Sequence, residues 1–249
     1  MSARRHKNRL LTLVISVGLW ESASALAGAK YFPHFWQVLP DLISLLATMG
    51  FWVNLLLTLW LSALSFIIGT VCATTIGVLI ALKRSGELAT RGVLNFFRSI
   101  PSVVFLPLLI ASIGSSARTS VILGSFVVTF MLVTYVIRGV GQTEPRLLDS
   151  AKIMALPWIQ KIFLLYLPST ISIAGTGLRL SASRAFGTII AAGIVAGTPG
   201  IGSSLLIAGS NANYPRVFSY VLIMGFVGSW IYALFTILES KLVHWRSAV

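Results

Sequence analysis

The placement of charge constrains this chain more than any other feature. Six long apolar runs, at about residues 10–29, 53–82, 96–113, 119–141, 170–195 and 218–240, are nearly free of charged side chains, which gather at their ends. Each run is close to the roughly 20 residues a helix needs to cross a bilayer. In hydrocarbon, backbone N–H and C=O groups must be satisfied within the segment, so runs of this kind are read as helices. Composition agrees: 56% of the 249 residues are hydrophobic and 10% are charged, where a soluble domain carries about 25% charged residues. A water-soluble core of this size could not hide so much apolar side chain, whereas lipid solvates it directly. The expected architecture is one all-α membrane domain over residues 1–249 with six transmembrane helices.

Net charge is +13, from nineteen Lys and Arg against six Asp and Glu. That excess raises the question of nucleic acid, but the basic residues form small clusters at the ends of apolar runs and build no continuous basic face interleaved with aromatics. Nucleic-acid binding is excluded on that pattern. The clusters instead orient the spans. With the N-terminus inside, the cytoplasmic set is Arg4, Arg5, Lys7, Arg9, Lys83, Arg84, Arg91, Arg98, Arg138, Arg146, Lys152, Lys161, Lys241 and Arg246. Fourteen basic residues then lie inside against three outside (Lys30, Arg118 and Arg216), leaving Arg179 and Arg184 within the fifth run. Lys and Arg in short loops favour the cytoplasm, so both termini are expected there.

The one cysteine, Cys72, lies inside an apolar run, so no internal disulfide and no cysteine-based metal site can form. His6, His34 and His244 fall outside the spans and far apart in sequence, which argues against a metal centre. No Ser-His-Asp set, no His-Glu-x-x-His and no pair of intramembrane carboxylates stands out, so the chain is not expected to be an enzyme, and no catalytic residue is assigned.

The first run has an alternative reading. RRHKNR, then LLTLVISVGLW, then SASALAGA has the basic, apolar and small-residue parts of a cleavable signal peptide, and Glu21 interrupts it. Five further spans already target the chain to the membrane, so retention as a helix is the expectation. After it, residues 31–50 are rich in aromatics and prolines. Phe32, Phe35 and Trp36 suit the headgroup layer, and Pro40-Asp41 is expected to open a short amphipathic helix along the outer surface.

Between the fourth and fifth runs the pattern changes. In LLDSAKIMALPWIQKIFLLYLP, residues 147–168, helical spacing puts Leu147, Leu148, Ala151, Met154, Ala155 and Trp158 on one side and Arg146, Asp149 and Lys152 on another. Pro157 suits the first turn of a second helix ending at Pro168, which makes a helix, a bend and a helix. The small residues Ala151 and Ala155, one turn apart, permit close approach to a protein partner. A solvated loop helix without a partner is the plainer alternative.

The same stretch carries a family resemblance. Asp149-Ser150-Ala151, three residues, Ala155, nine residues, Leu165, one residue and Leu167-Pro168 resembles the EAA signature, Glu-Ala-Ala-x3-Gly-x9-Ile-x-Leu-Pro, of binding-protein-dependent ABC importer permeases. The spacing matches throughout, while Asp149, Ser150, Ala155 and Leu165 replace Glu, Ala, Gly and Ile. RSIPSVVFLPLL at 98–109, GTGLRLSASRAFGTIIAAGIV at 175–195 and LESKLVHWR at 238–246 resemble segments of the nitrate, sulfonate and taurine branch. One departure is plain: Val195-Ala196 is followed by Gly197, where that branch usually has Glu.

The resemblance implies a MetI-like type I importer permease fold with a cytoplasmic coupling helix at about 145–160, in the bacterial inner membrane. It also implies partners: two cytoplasmic ABC ATPases that use ATP and Mg, a second permease subunit in a homo- or heterodimer, and an extracytoplasmic binding protein that delivers the solute. No cofactor is expected on this chain. Asp149, Ser150, Ala151, Lys152, Met154, Ala155, Leu156 and Pro157 become the residues that engage the ATPase. A bulky side chain at Ala155 is expected to block docking.

Candidates for the solute pathway are Arg98, Pro101, Phe105, Arg179 and Arg184. Intramembrane charge faces a bundle interior or a wet cavity, and residues five apart on a helix lie about 140° apart. Arg179 and Arg184 therefore either shape an electropositive passage for an anion or tether the span to neighbouring carbonyls. Pro101 and Pro107 either break the third span beside the pathway or only set its tilt. The Gly-rich segment 196–216 lacks the Lys-Ser/Thr of a phosphate loop and is expected outside, as a re-entrant scoop or a plain connection. Two rival functions remain. A stand-alone secondary carrier needs intramembrane acids or His for ion coupling, and Glu21 is expected to be the only acid within a span. A membrane scaffold would recruit a soluble partner through residues 145–160.

Overall fold

The computed structural model describes residues 2–81 and 86–242. Lys83, Arg84, His244 and Arg246 lie outside them, as do the side chains of Arg4, Arg5, His6, Lys7 and Arg9. Among the described residues the regular structure is helical. In order the elements are α1 Ser2–Ala27, α2 Phe35–Leu46, α3 Met49–Ala81, α4 Gly86–Ser99, a 3-10 turn Ser102–Phe105, α5 Leu106–Ile113, α6 Ala117–Gly141 and α7 Pro145–Ile153. Then come α8 Trp158–Lys161, a π turn Ile162–Tyr166, α9 Leu167–Ala196, α10 Ile201–Ser210 and α11 Tyr214–Leu242.

Among the described residues, four stretches are long and apolar enough to cross a membrane: Met49–Ala81, Ala117–Gly141, Ile173–Ser210 and Tyr214–Lys241. The expected third span is not one rod. Its two halves, Thr90–Ser99 and Ser102–Ile113, meet at 84°. Pro101 explains the break, because it donates no amide and forces Ile100 out of the helical region. Counted as one broken span, the pair makes a fifth crossing; α1 contributes a shorter apolar stretch, Val14–Ala27.

The core is a three-helix stack. Ser65, Gly69, Ala73 and Gly77 repeat every four residues along one face of α3 and are all buried. They meet α6 in constant register: a Cβ on Gly69 would lie 2.5 Å from Val128 Cβ, and one on Gly77 would lie 2.7 Å from Val136 Cγ1. Ser65 closes on Gly124 in the same register, so the helices run parallel at backbone distance. Without a hydrophobic drive between helices in lipid, such close van der Waals contact is what holds them. On the other side of α6, α9 runs antiparallel, with Gly139 against Thr170 and Gly177 against Leu132 and Tyr135. Half of the α6 window is buried, against 6% for Tyr214–Lys241, so α6 is the central rod and α11 a peripheral one that leans on α9.

At the end where α9 finishes, Gly197 and Gly200 take φ of 62° and 134° and turn the chain back. Gly202 then packs on Ile190 and Gly193, seating α10 against α9. Segment 196–216 therefore holds a doubled-back helix and not a bare connection. Thr58 of α3, fully buried, accepts the Ile201 amide at 2.9 Å and anchors it.

Nearby, α1 is pinned to the turn before α2. Glu21 pairs with His34 at 2.6 Å and accepts the Phe35 amide at 2.8 Å, Ser24 donates to the Phe32 carbonyl, and Trp20 donates to Pro33. Trp20, Phe32 and Phe218 close this knot with ring centroids 4.8–5.3 Å apart. The helix α2 starts at Phe35, not at Pro40, because the His34 carbonyl already accepts the Gln37 and Val38 amides. Nor does it lie free on the surface: Val38 and Leu45 are buried, and Asp41 pairs with Arg216 of α11 at 3.0 Å.

Candidate functional site

At the opposite end of the bundle, α7 stops after one bend of specific geometry. The Leu156 amide donates to the Ala151 carbonyl and the Ala155 amide to Lys152, both at 3.0 Å, while Ala155 holds φ at +49°. This is the six-to-one and five-to-two pairing of a left-handed helix cap, a position that favours glycine. The expected bend is therefore present, but Ala155 does not share a helical stripe with Ala151. Ala151 is buried, whereas Ala155 is exposed in the turn. The small side chain at 155 answers a backbone demand, not helix approach.

Pro157 leads into α8, as the spacing predicts, but the second helix does not end at Pro168. The π turn Ile162–Tyr166 absorbs the amide that Pro168 lacks, and the chain runs on through α9. So α7, its cap, α8 and α9 form one continuous segment. On it Asp149 and Lys152 pair with each other at 2.8 Å in solvent, a contact of small energetic weight. The anticipated apolar face is not packed on this chain: only Ala151 is buried there. Ile153 (87% exposed), Met154 (72%), Trp158 and Ile159 stand open beside the turn. Ser150 donates to its own helix at Arg146.

A second cluster forms where the broken third span meets α6 and α9. Arg98, Pro101 and Arg184 line one cleft of about 380 Å³, walled by Phe97, Phe126 and Phe130. Phe105 closes on Phe126 with centroids 5.1 Å apart. Arg98 also borders an adjoining cleft of about 250 Å³ with Asn95, Thr134 and Arg138. Arg98, Arg138 and Arg184 are exposed and have no acidic partner among the described residues. Arg98, just before the 84° bend, and Arg184 of α9 thus share one cleft beside Pro101. Unpaired guanidiniums against aromatic walls suit an anion with an apolar part.

Arg179 sits elsewhere. It turns toward α11, where its Nη1 meets Glu239 Oε2 at 3.0 Å and its guanidinium lies over the Tyr232 ring at 5.0 Å. The partner is a carboxylate rather than the carbonyls expected for a tether. Glu239, inside the last apolar run, was missed as an intramembrane acid; the signal was present in the Leu238-Glu239 pair of the C-terminal motif. The Phe97, Phe126 and Phe130 wall was missed as well, since lipid-facing and cleft-lining phenylalanines look alike in sequence.

A family model described as the binding-protein-dependent transport system inner membrane component matches residues 73–244. A Bacillus subtilis protein bearing the name of an aliphatic sulfonates transport permease is 23% identical over 244 residues, which cover 97% of this chain and 88% of that protein. The taurine transport system permease of Escherichia coli is 20% identical over 245 residues, covering 96% and 89%. Among solved structures, the MetNI methionine ABC transporter in inward-facing form aligns with a TM-score of 0.68 at 17% identity, over 78% of this chain and 97% of that one. At that identity the likeness is one of fold.

Proposed function

Because this chain belongs to the family of binding-protein-dependent transport system inner membrane components, we propose that it is the permease subunit of an ATP-driven ABC importer. The observation that carries the reading is the unpartnered apolar turn at Ile153 and Met154, joined through α8 and the π turn to the long helix α9. A rigid element that leaves large apolar side chains in water at the foot of a bundle fits a soluble partner. Asp149 to Pro157 engage a groove of the ATPase, and ATP-driven closure of two ATPase subunits moves α9 as a rigid body. ATP and Mg are used there, and this chain binds no cofactor and performs no chemistry.

Six spans follow if α1 and the broken pair α4–α5 each cross once, with both termini and α7 in the cytoplasm. The knot of Trp20, Glu21 and Ser24 with residues 32–35 supports α1 as a retained span. A second permease subunit completes the pathway, and a binding protein docks at the α10 end. The solute is a small anion, passed along the cleft of Arg98, Pro101, Phe105 and Arg184; the names of the sulfonate and taurine relatives agree with an anionic head. Family membership favours this reading over a scaffold or an ion-coupled carrier.

The test is co-purification. With its co-expressed ATPase, the permease is expected to yield a complex whose hydrolysis rises on adding the cognate binding protein. Met154→Asp is expected to insert normally and lose the ATPase. A Met154→Asp permease that still brings down the ATPase overturns the docking role.

A further inference from the structure

The pairing of Arg179 with Glu239 joins two motifs that transport through the cleft does not use. Three residues of α9 within about one turn converge on a single carboxylate of α11. Arg179 Nη1 lies 3.0 Å from Oε2, Thr176 Oγ1 donates to Oε1 at 2.9 Å, and Gly175 leaves room for the Glu239 Cγ, 3.1 Å from where a Cβ would stand. Tyr232, about two turns earlier on α11, covers the guanidinium. Both charged side chains are about four-fifths buried. The buried residues of α11, Ser219, Tyr220 and Ile223, lie toward its other end. A cluster this polar in an apolar helix pair has a reason beyond adhesion, since apolar side chains of similar volume would hold the helices as well or better.

We propose that Glu239 is a positioning residue: with Arg179 it forms a latch that fixes the register of α11 on α9, so that force entering α9 from the α7 turn also carries α11. Apolar contacts slide with little penalty; a buried ion pair does not, because a small displacement strands two charges in a medium of low dielectric. The latch lies twelve residues beyond the start of α9 at Leu167, about 18 Å along the helix. It is therefore near the end where the α7 segment pushes. The adjoining cavity of about 160 Å³ presents Thr70 and Thr170, whose hydroxyls are buried without a partner. The rest of that recess is mostly apolar, with Leu132, Val136, Ile171 and Leu178 among its walls, so it does little to screen the pair.

The inference rests on the importer reading, and the experiment separates the two. In proteoliposomes, Glu239→Gln is expected to keep the ATPase subunits bound and hydrolysing while solute uptake per ATP falls roughly tenfold, within the usual range of coupling free energies. The exchange Arg179→Glu with Glu239→Arg is expected to restore a substantial part of that ratio. Without any ATPase, thermal unfolding of the purified permease gives a second reading: Glu239→Gln and Arg179→Gln each lower the midpoint, and the double variant falls no further than the worse single one. Unchanged uptake per ATP in Glu239→Gln, or additive losses in the unfolding cycle, overturns the latch. A wild-type complex that the binding protein does not stimulate counts against the importer reading alone, and the unfolding cycle still decides the pairing.

Discussion

The amide of Leu156 reaches back to the carbonyl of Ala151 at 3.0 Å, and this bond forces Ala155, between them, to a φ of +49°. A left-handed conformation costs a residue with a Cβ about 1–2 kcal/mol, and glycine avoids that cost. Ala155→Gly is therefore expected to stabilise the isolated permease by about 1 kcal/mol, less the entropy glycine adds to the unfolded chain. A rise in the midpoint of thermal unfolding in detergent checks this. Ala155→Val is expected to act in the opposite direction, because a β-branched side chain tolerates the left-handed region worst. Its loss of ATPase binding should exceed that of Leu156→Ala, which keeps the turn's backbone. Equal stability of the Gly, Ala and Val forms would remove the strain argument.

Along α3 the sequence fixes how near α6 can come. A side chain at Gly69 would meet Val128 Cβ at 2.5 Å, with the Ser125 carbonyl 2.8 Å away. Neither the backbone nor a β-branched neighbour can give way cheaply, so Gly69→Val is expected to force the central pair apart. Overpacking typically costs about 1–3 kcal/mol and here also undoes the neighbouring contacts. Little folded protein should be recovered on size-exclusion chromatography. Gly187, on α9, has no heavy atom within 4 Å of a built Cβ, and Gly187→Ala is expected to leave yield and unfolding temperature unchanged.

These two sites show which parts of the molecule are readable in advance. Apolar runs, charge at their ends and the spacing from Asp149 to Pro168 are local properties, and from them come the helices and the bend after α7. The demand for a small residue at 155 was also legible, though its cause was not: a stripe of small residues and a left-handed cap both require one, and only backbone angles tell them apart. Pairings across the bundle were hidden. Ser65, Gly69, Ala73 and Gly77 advertise a contact face by their spacing but not which helix they face, and nothing local ties Arg179 to Glu239, 60 residues on. The break at Pro101 was one of two alternatives in sequence. On either side of it Phe97 and Phe105 meet the rings of α6, contacts that no local pattern announces.

Thr58 holds α10 by one bond. Its hydroxyl accepts the Ile201 amide at 2.9 Å and donates to the Asn54 carbonyl at 2.8 Å, with the side chain fully buried. Thr58→Val keeps the shape and strands the amide, at a cost of about 1–3 kcal/mol. Thr58→Ser restores the acceptor. The expected order of unfolding temperatures is wild type, then Ser, then Val, with faster proteolysis between residues 196 and 216 in the valine form. If valine matches wild type in both measurements, the bond does not anchor the helix.

Arg184 offers the sharpest test of the cleft. It stands exposed among Phe97, Phe126 and Phe130, faces Arg98 across the bend, and touches no acid among the described residues. Arg184 is exposed in the cleft, so reversing its charge is expected to leave the buried core intact. A guanidinium that attracts an anion only in transit lowers a barrier without deepening a binding well. Charge loss should thus appear in the rate of uptake and not in the affinity set by the binding protein. One such charge at an effective dielectric of about 20 and a separation of about 4 Å contributes about 4 kcal/mol before screening, and open water reduces that severalfold. Arg184→Glu is accordingly expected to slow uptake about ten- to a hundredfold, with half-saturation unchanged and the binding-protein-stimulated ATPase largely intact. Arg184→Lys should recover most of the rate, since a point charge suffices for transit, whereas a bidentate site would distinguish the two cations. Lysine failing as badly as glutamate would turn Arg184 into a structural residue. Wild-type uptake by the glutamate form would remove the cleft from the pathway.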